Sequence, residues 1–265
     1  MTLGFSVREL LPHARNSEKL KIGLCALGED EWLQPEPDLV TRAAAFAARP
    51  EAIQLSDGAA APAKELAALL GVSGGLLEAA GAHWEDMCLL TRRPEEDFYR
   101  LVGAAVAFPT DWRVADKMGL PLAAMHAPIH GYAEQLATGV DRFMAKLKPG
   151  ALYGRSNWFV VDSSDLCHLP GARVLFAGVT PENAGRRLFA RCERQTLRRL
   201  PQTGAILFTI GVYVEPLEAL PADSVEWLAE AVQAIPPGER ERRGIGAYLP
   251  ALIGYADRRR EELTD

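Results

Sequence analysis

The run Arg191-Cys-Glu-Arg-Gln-Thr-Leu-Arg-Arg-Leu-Pro-Gln-Thr-Gly-Ala-Ile-Leu-Phe-Thr-Ile210 contains two strands and the turn between them. In an extended chain successive side chains alternate, so Arg191, Glu193 and Gln195 share one face and Cys192, Arg194 and Thr196 the other. The next segment, residues 205–214, is almost continuously apolar, as in a strand covered on both faces. Pro201-Gln-Thr-Gly204 between them reads as a hairpin turn, which makes the pair antiparallel. Upstream, residues 156–161 read as a further strand.

Helical patterns flank these three consecutive strands, 156–161, 189–197 and 205–214. On one side Tyr132, Leu136, Val140, Phe143 and Leu147 form an apolar stripe at helical spacing, with Glu134, Asp141, Lys146 and Lys148 opposite, ending at Pro149-Gly150. On the other, residues 224–235 form a helix stopped by Pro236-Pro237, and a last helix follows the charged run 239–243. Helix, three strands, helix is the pattern of an α+β protein, with an antiparallel sheet and helices on one face. Nearer the start, residues 20–27 alternate as a short strand. Residues 35–49 read as a helix with Leu39, Ala43, Phe46 and Ala47 along one stripe, and a second helix lies near 64–70. Residues 81–90 lead into a charged loop, residues 99–108 are a strand candidate closed by Pro109, and Thr110-Asp111 caps a short helix through Lys117. The expected organisation is an N-terminal extension, residues 1–95, on a core of residues 96–265, together one structural unit.

The chain of 265 residues is 48% hydrophobic and 24% charged, which excludes disordered and fibrous classes. A net charge of −6 argues against nucleic acid or an anionic membrane as a partner over the whole surface. No apolar stretch reaches spanning or signal length, and the four cysteines are scattered without a C-x-x-C pair. That pattern predicts a reduced, cytoplasmic protein with neither a sulfur-built zinc site nor covalently attached haem. Nucleophile-elbow, phosphate-loop and dinucleotide signatures are missing, and Gly71-Val-Ser-Gly-Gly75, with no basic residue behind it, is a poor phosphate cradle.

Two places carry possible chemistry. In Met125-His-Ala-Pro-Ile-His-Gly131 the histidines are four apart, but Pro128 between them disfavours a helical metal pair. His126 by itself, just before an amphipathic helix, fits either a hydrogen-bonded interior histidine or an axial haem ligand. In the polar strand, Arg191, Glu193, Arg194 and Gln195 are either a solvated edge or buried groups that are paired or face a ligand. Arg155-Ser-Asn157-Trp158 places another guanidinium and an amide at the start of the preceding strand.

Together these segments resemble the haem-dependent oxidative N-demethylase family, the haem-binding α subunit of dimethylamine monooxygenase. The resemblance rests on Phe108-Pro-Thr-Asp-Trp112, Lys117-Met-Gly119, Met125-His-Ala-Pro128, Gly131-Tyr132, Arg155-Ser-Asn-Trp158 and, above all, the run from Glu193 to Ile210, with Gly23-Leu24 and Trp32 earlier. It implies a PAS-like antiparallel sheet whose flanking helices form a cleft for b-type haem, with His126 as the axial iron ligand. Asn157, Trp158, Gln195 and Phe208 would line the cofactor, and Glu193, Arg194 and Arg155 would be the catalytic groups. The implied partners are a small amine substrate, dioxygen and a separate NADPH-dependent flavin and iron–sulfur reductase. The clustered Arg186, Arg187, Arg191, Arg198 and Arg199 would suit docking of an acidic partner. The chain departs from the family pattern at Gly211, where a basic residue is usual, at residues 242–248, where a Tyr-Lys-Gly element is usual, and at His130, where proline is more frequent. Two alternatives accompany the oxygenase reading: a haem-binding sensor or carrier without turnover, and a haem-free structural subunit.

Overall fold

The computed structural model describes residues 3–11, 23–129, 131–169 and 174–262. Seven strands form one sheet: β1 Cys25–Ala26, β2 Ile53–Leu55, β3 Asp86–Thr91, β4 Arg100–Ala105, β5 Leu152–Val161, β6 Phe189–Arg199 and β7 Ile206–Pro216. The order is β1-β5-β6-β7-β3-β4-β2, and every pairing is antiparallel. The α+β class and the hairpin of β6 and β7 are as expected. Gly204 closes that hairpin at φ +72°, a left-handed conformation that glycine adopts at little cost.

The sheet is wider than expected. β2 and β3 were not anticipated, and residues 86–91, read as the approach to a loop, form an inner strand between β7 and β4. Asp86 starts that strand fully buried because Arg42 reaches it at 2.6 Å, while the amides of Ala107 and Phe108 donate to it at 2.7 and 3.0 Å. Arg42 belongs to the helix Leu39–Ala48, shorter than the expected 35–49 and capped by Asp38, which accepts from the Thr41 amide. The buried stripe of that helix is Arg42 and Phe46, whereas Leu39 is 42% exposed and Ala43 and Ala47 are exposed. The ion pair rotates the helix away from its apolar stripe because a buried unpaired Asp86 would cost several kcal/mol, about 3–5 when one partner is removed. Residues 20–22 lie outside the described set, and of the strand read at 20–27 only β1 forms. The helix expected after Thr110 is a single 3-10 turn, Val114–Asp116.

Helices cover both faces, not one. The register places Tyr153, Arg155 and Asn157 of β5 beside Leu197, Gln195 and Glu193 of β6, and these beside Phe208, Ile210 and Val212 of β7. This first face is covered by the helices Leu122–Met125 and Thr138–Lys146 through Leu122, Met144 and Leu147. The second face carries Trp158, Cys192 and Arg194, and packs on the helices Val7–Leu10, Ala222–Gln233 and Leu249–Glu261. Among the described residues no helix is long and apolar enough to cross a membrane.

The helix expected over 132–147 is broken. Residues Ala133–Ala137 form a π turn, and a regular α-helix runs only from Thr138 to Lys146. A π turn adds one residue to the ladder, which rotates everything after it by about 100°. Asp141, assigned to the solvent side by unbroken periodicity, consequently has a buried carboxylate oxygen.

Candidate functional site

The polar residues of the first face form one connected chain. At its base lies Arg191, fully buried, whose Nη2 donates to the carbonyls of Phe108, Pro109 and Leu166 at 2.9, 3.1 and 2.8 Å. Its Nε donates to the Thr110 hydroxyl at 2.8 Å, and that hydroxyl donates to Glu193 Oε1 at 2.6 Å. Glu193 Oε2 accepts from Gln195 at 2.7 Å and from Asn157 at 3.4 Å. Gln195 in turn accepts at Oε1 from Arg155 Nε at 2.7 Å. Each group fixes the next, so the amide of Gln195 can point its oxygen only toward Arg155 while its nitrogen serves Glu193. Of the two readings of the polar strand, the buried and paired one holds.

Opposite this chain stands His126, at the end of the helix Leu122–Met125. Its Nδ1 lies 2.9 Å from the Leu122 carbonyl, which only accepts, so Nδ1 carries the proton and Nε2 keeps its lone pair. The ring stacks on Tyr132 with centroids 4.5 Å apart and planes 17° apart. Burial lowers the His126 pKa; the Leu122 hydrogen bond opposes this, and the nearby charges of Arg155 and Lys117 add to the lowering. A neutral imidazole with a backbone-bonded Nδ1 and an open Nε2 has the donor chemistry of an axial ligand. Met125, Val140, Phe143, Tyr153 and Phe208 are half-buried against the core formed by Leu122, Met144, Leu147 and Leu197 on this face. Tyr132 is itself pushed up to about 12 by burial first and by the charge of Asp141 second, with Arg155 pulling the other way.

Residues 72–253, more than half of the chain, match the family described as haem-dependent oxidative N-demethylase, alpha subunit-like. The chain belongs to this family. The matched span covers the whole polar chain, His126 and Tyr132, and the family name carries haem dependence and an oxidative enzyme class. Among the described residues no group of three or more His, Cys, Asp and Glu side chains could hold a metal ion.

In this N-demethylase family member the expected site residues divide by face. His126, Arg155, Asn157, Glu193, Gln195 and Phe208 share the first face. Arg194 and Trp158 do not join them: β6 and β5 turn both to the second face. There Trp158 stacks edge-on with Trp227 at 6.0 Å. Arg194, expected in an ion pair if not in the cleft, instead donates to the carbonyls of Leu3 at 3.0 Å, Trp32 at 2.9 Å and Glu31, with its guanidinium over Phe5. His130 lies outside the described residues. His168 is remote from His126 in role, with Nδ1 3.0 Å from Asp111. Three of the five clustered arginines are engaged inside: Arg191 as above, Arg198 with Glu29 at 2.7 Å, and Arg199 with Tyr99 and the carbonyls of Leu147, Met144 and Gly204. Arg186 and Arg187 are exposed.

Sequence reasoning missed Thr110, Tyr132 and the Leu122 carbonyl. Thr110 was read as a helix cap. Only its bridge to His168 and its approach to β6 show that it joins Arg191 to Glu193. The signal available for Tyr132 was its spacing, one turn and a half beyond His126, but a π turn at that point is not a sequence pattern.

Proposed function

We propose that this chain is the haem-binding oxygenase component of an amine-oxidising system, with haem b in a PAS-like cleft on the first face. The observation that carries the reading is the pairing of His126 Nε2, free and on a neutral ring, with an Arg155 held by a buried relay on the same face. When bound, haem supplies an iron centre able to activate dioxygen and to accept electrons singly. The chain's own residues do the rest. Leu122 fixes the His126 tautomer, and Tyr132 fixes its ring plane. Arg191, Thr110, Glu193 and Gln195 hold Arg155 as a preorganised donor for charge that develops beside it, an effect worth about 3–4 kcal/mol in barrier height. Because Glu193 already accepts from Thr110, Gln195 and Asn157, its part is to orient Arg155. The missing C-x-x-C-H element supports non-covalent haem, and the missing nucleotide signatures support a separate NADPH-linked reductase.

Departures from the family pattern at 211 and 242–248 would favour the sensor or carrier alternative if they lay beside the haem. Gly211 pairs with Arg194 on the second face, and Tyr248 sits in the second-face core, both away from His126. That placement favours the enzyme. The test is purification with haem, followed by oxygen uptake with a chemical reductant and small N-methyl amines. Stoichiometric haem, its loss in His126→Ala and amine-dependent oxygen uptake are expected. Haem retained in His126→Ala overturns the ligand assignment, and amine-independent uptake overturns the enzyme reading in favour of the carrier.

A further inference from the structure

Lys117 is a half-buried cation that the relay does not use. Its Nζ donates at 2.6 Å to the Met125 carbonyl, the peptide group that leads directly into His126. A single turn, Leu122–Met125, carries that histidine, and a turn of four residues has too few internal bonds to hold itself in place. Its last carbonyls need donors from elsewhere, and Lys117 supplies one. The reach is set locally. The Lys117 amide donates to the Val114 carbonyl at 3.0 Å, closing the 3-10 turn Val114–Asp116. Gly119 follows at φ +74°, and its amide donates to the Leu101 carbonyl of β4 at 2.8 Å. Lys117 thereby ties the ligand-bearing turn back to the sheet.

A neutral donor would cap the turn as well, so the charge needs its own account. Among the described residues no carboxylate lies within ion-pair distance of Lys117, and burial pulls its pKa down with only Asp116 opposing. The neighbouring charges that bear on His126, Arg155 and Lys117, are both positive. The His126 Nδ1 donates to a backbone carbonyl, not to a carboxylate. A carboxylate partner would push negative charge onto the ring. A carbonyl and two cations do the opposite, and favour the less positive oxidation state of a metal bound at Nε2.

We propose that Lys117 is the positioning residue of the haem ligand: it pins the turn that carries His126 through the Met125 carbonyl, and its charge raises the reduction potential of the iron that His126 ligates. This rests on the haem-binding reading above.

The test is spectroelectrochemical titration of the haem-loaded protein. Wild type, Lys117→Met, Lys117→Arg and Arg113→Met are compared, the last removing an exposed cation just before the same 3-10 turn. Removing a unit charge so close in a half-buried site shifts a one-electron equilibrium by at least about threefold, or about 28 mV at roughly 59 mV per tenfold. Lys117→Met is expected to lower the potential by that much or more, and to release haem faster to excess apomyoglobin. Lys117→Arg, which keeps charge and donor, and Arg113→Met are expected to stay at the wild-type potential. The role is overturned if Lys117→Met keeps the wild-type potential, if Lys117→Arg falls as far, or if Arg113→Met falls equally. Should Lys117→Met take no haem, circular dichroism decides: a folded variant beside a haem-loaded Lys117→Arg supports the role, and an unfolded one, or loss of haem in both, overturns it. Wild type that takes no haem, or His126→Ala that keeps it, overturns the functional reading and this role together. A loaded chain whose Lys117→Met variant has the wild-type potential overturns this role alone.

Discussion

Arg194→Met separates the two faces of β6 in a single substitution. Arg194 is fully buried, and its guanidinium ties the carbonyls of Leu3, Trp32 and Glu31 to the second face of the sheet. Methionine keeps most of the side-chain volume but leaves three carbonyls without donors. Each such bond to a charged group is worth about 1.5–3 kcal/mol, so the gross loss is roughly 5–9 kcal/mol. The offset is the cost of burying the cation: burial pulls the Arg194 pKa down, and the neighbouring Tyr213, Glu85 and Glu31 oppose it only in part. A net loss of about 3–5 kcal/mol follows, which for a chain of this size lowers the melting temperature by on the order of 10 °C. The assay is thermal unfolding by circular dichroism, with the haem spectrum and amine affinity recorded well below the transition. Stability is expected to fall while spectrum and affinity stay at wild-type values. A variant that melts with wild type refutes the structural accounting, and one that melts normally but loses haem or amine binding refutes the assignment of faces.

Glu193→Gln is the counterpart on the first face: it places an amide donor against Thr110 or Gln195, releases Arg155, and should slow amine oxidation by on the order of 10²-fold while haem is retained; an unchanged rate constant would remove Glu193 from the relay. Glu85→Gln tests a buried carboxyl that burial raises above its ordinary 4.5. The neutral acid's contribution to stability is complete below pH 4.5 and is lost as pH rises through the higher folded value, so the variant should gain on wild type in urea midpoint as pH climbs from 4.5. Parallel midpoint curves would contradict this. NADPH alone should leave the ferric spectrum unchanged, and Arg186→Glu with Arg187→Glu should weaken a reductase-driven rate more at low salt than above about 0.2 M. Direct reduction by NADPH, or a rate indifferent to both substitutions, would count against a separate docking reductase.

Local pattern was enough for part of this protein. Alternation in Arg191–Leu197, the turn ending at Gly204 and the apolar run after it are properties of neighbouring residues, and they placed β6 beside β7 and put Glu193 and Arg194 on opposite faces. The motifs around His126, Arg155 and the β6–β7 hairpin likewise pointed to a family that the match over residues 72–253 bears out. What alternation could not say was which face mattered. Arg194 and Glu193 look equally polar along the chain, and only the arrival of Leu3 and Trp32 on one side and Thr110 on the other gives them different work.

The same limit explains the missed strand and the misread helix. β3 is a central strand because β7 and β4 lie on either side of it, and Asp86 is tolerated there because Arg42 comes from a helix more than forty residues away. Asp141 turns inward because one extra residue in the π turn shifts the helical phase after Tyr132. Sequence alone thus determined the antiparallel hairpin and the polar strand, since those depend on dihedral preference and side-chain period, whereas His126 became the candidate ligand only through the family resemblance. Tertiary structure decided the faces, the buried ion pair and the unpartnered carboxylate, because burial and the search of each buried charge for a partner are settled only by residues distant in the chain.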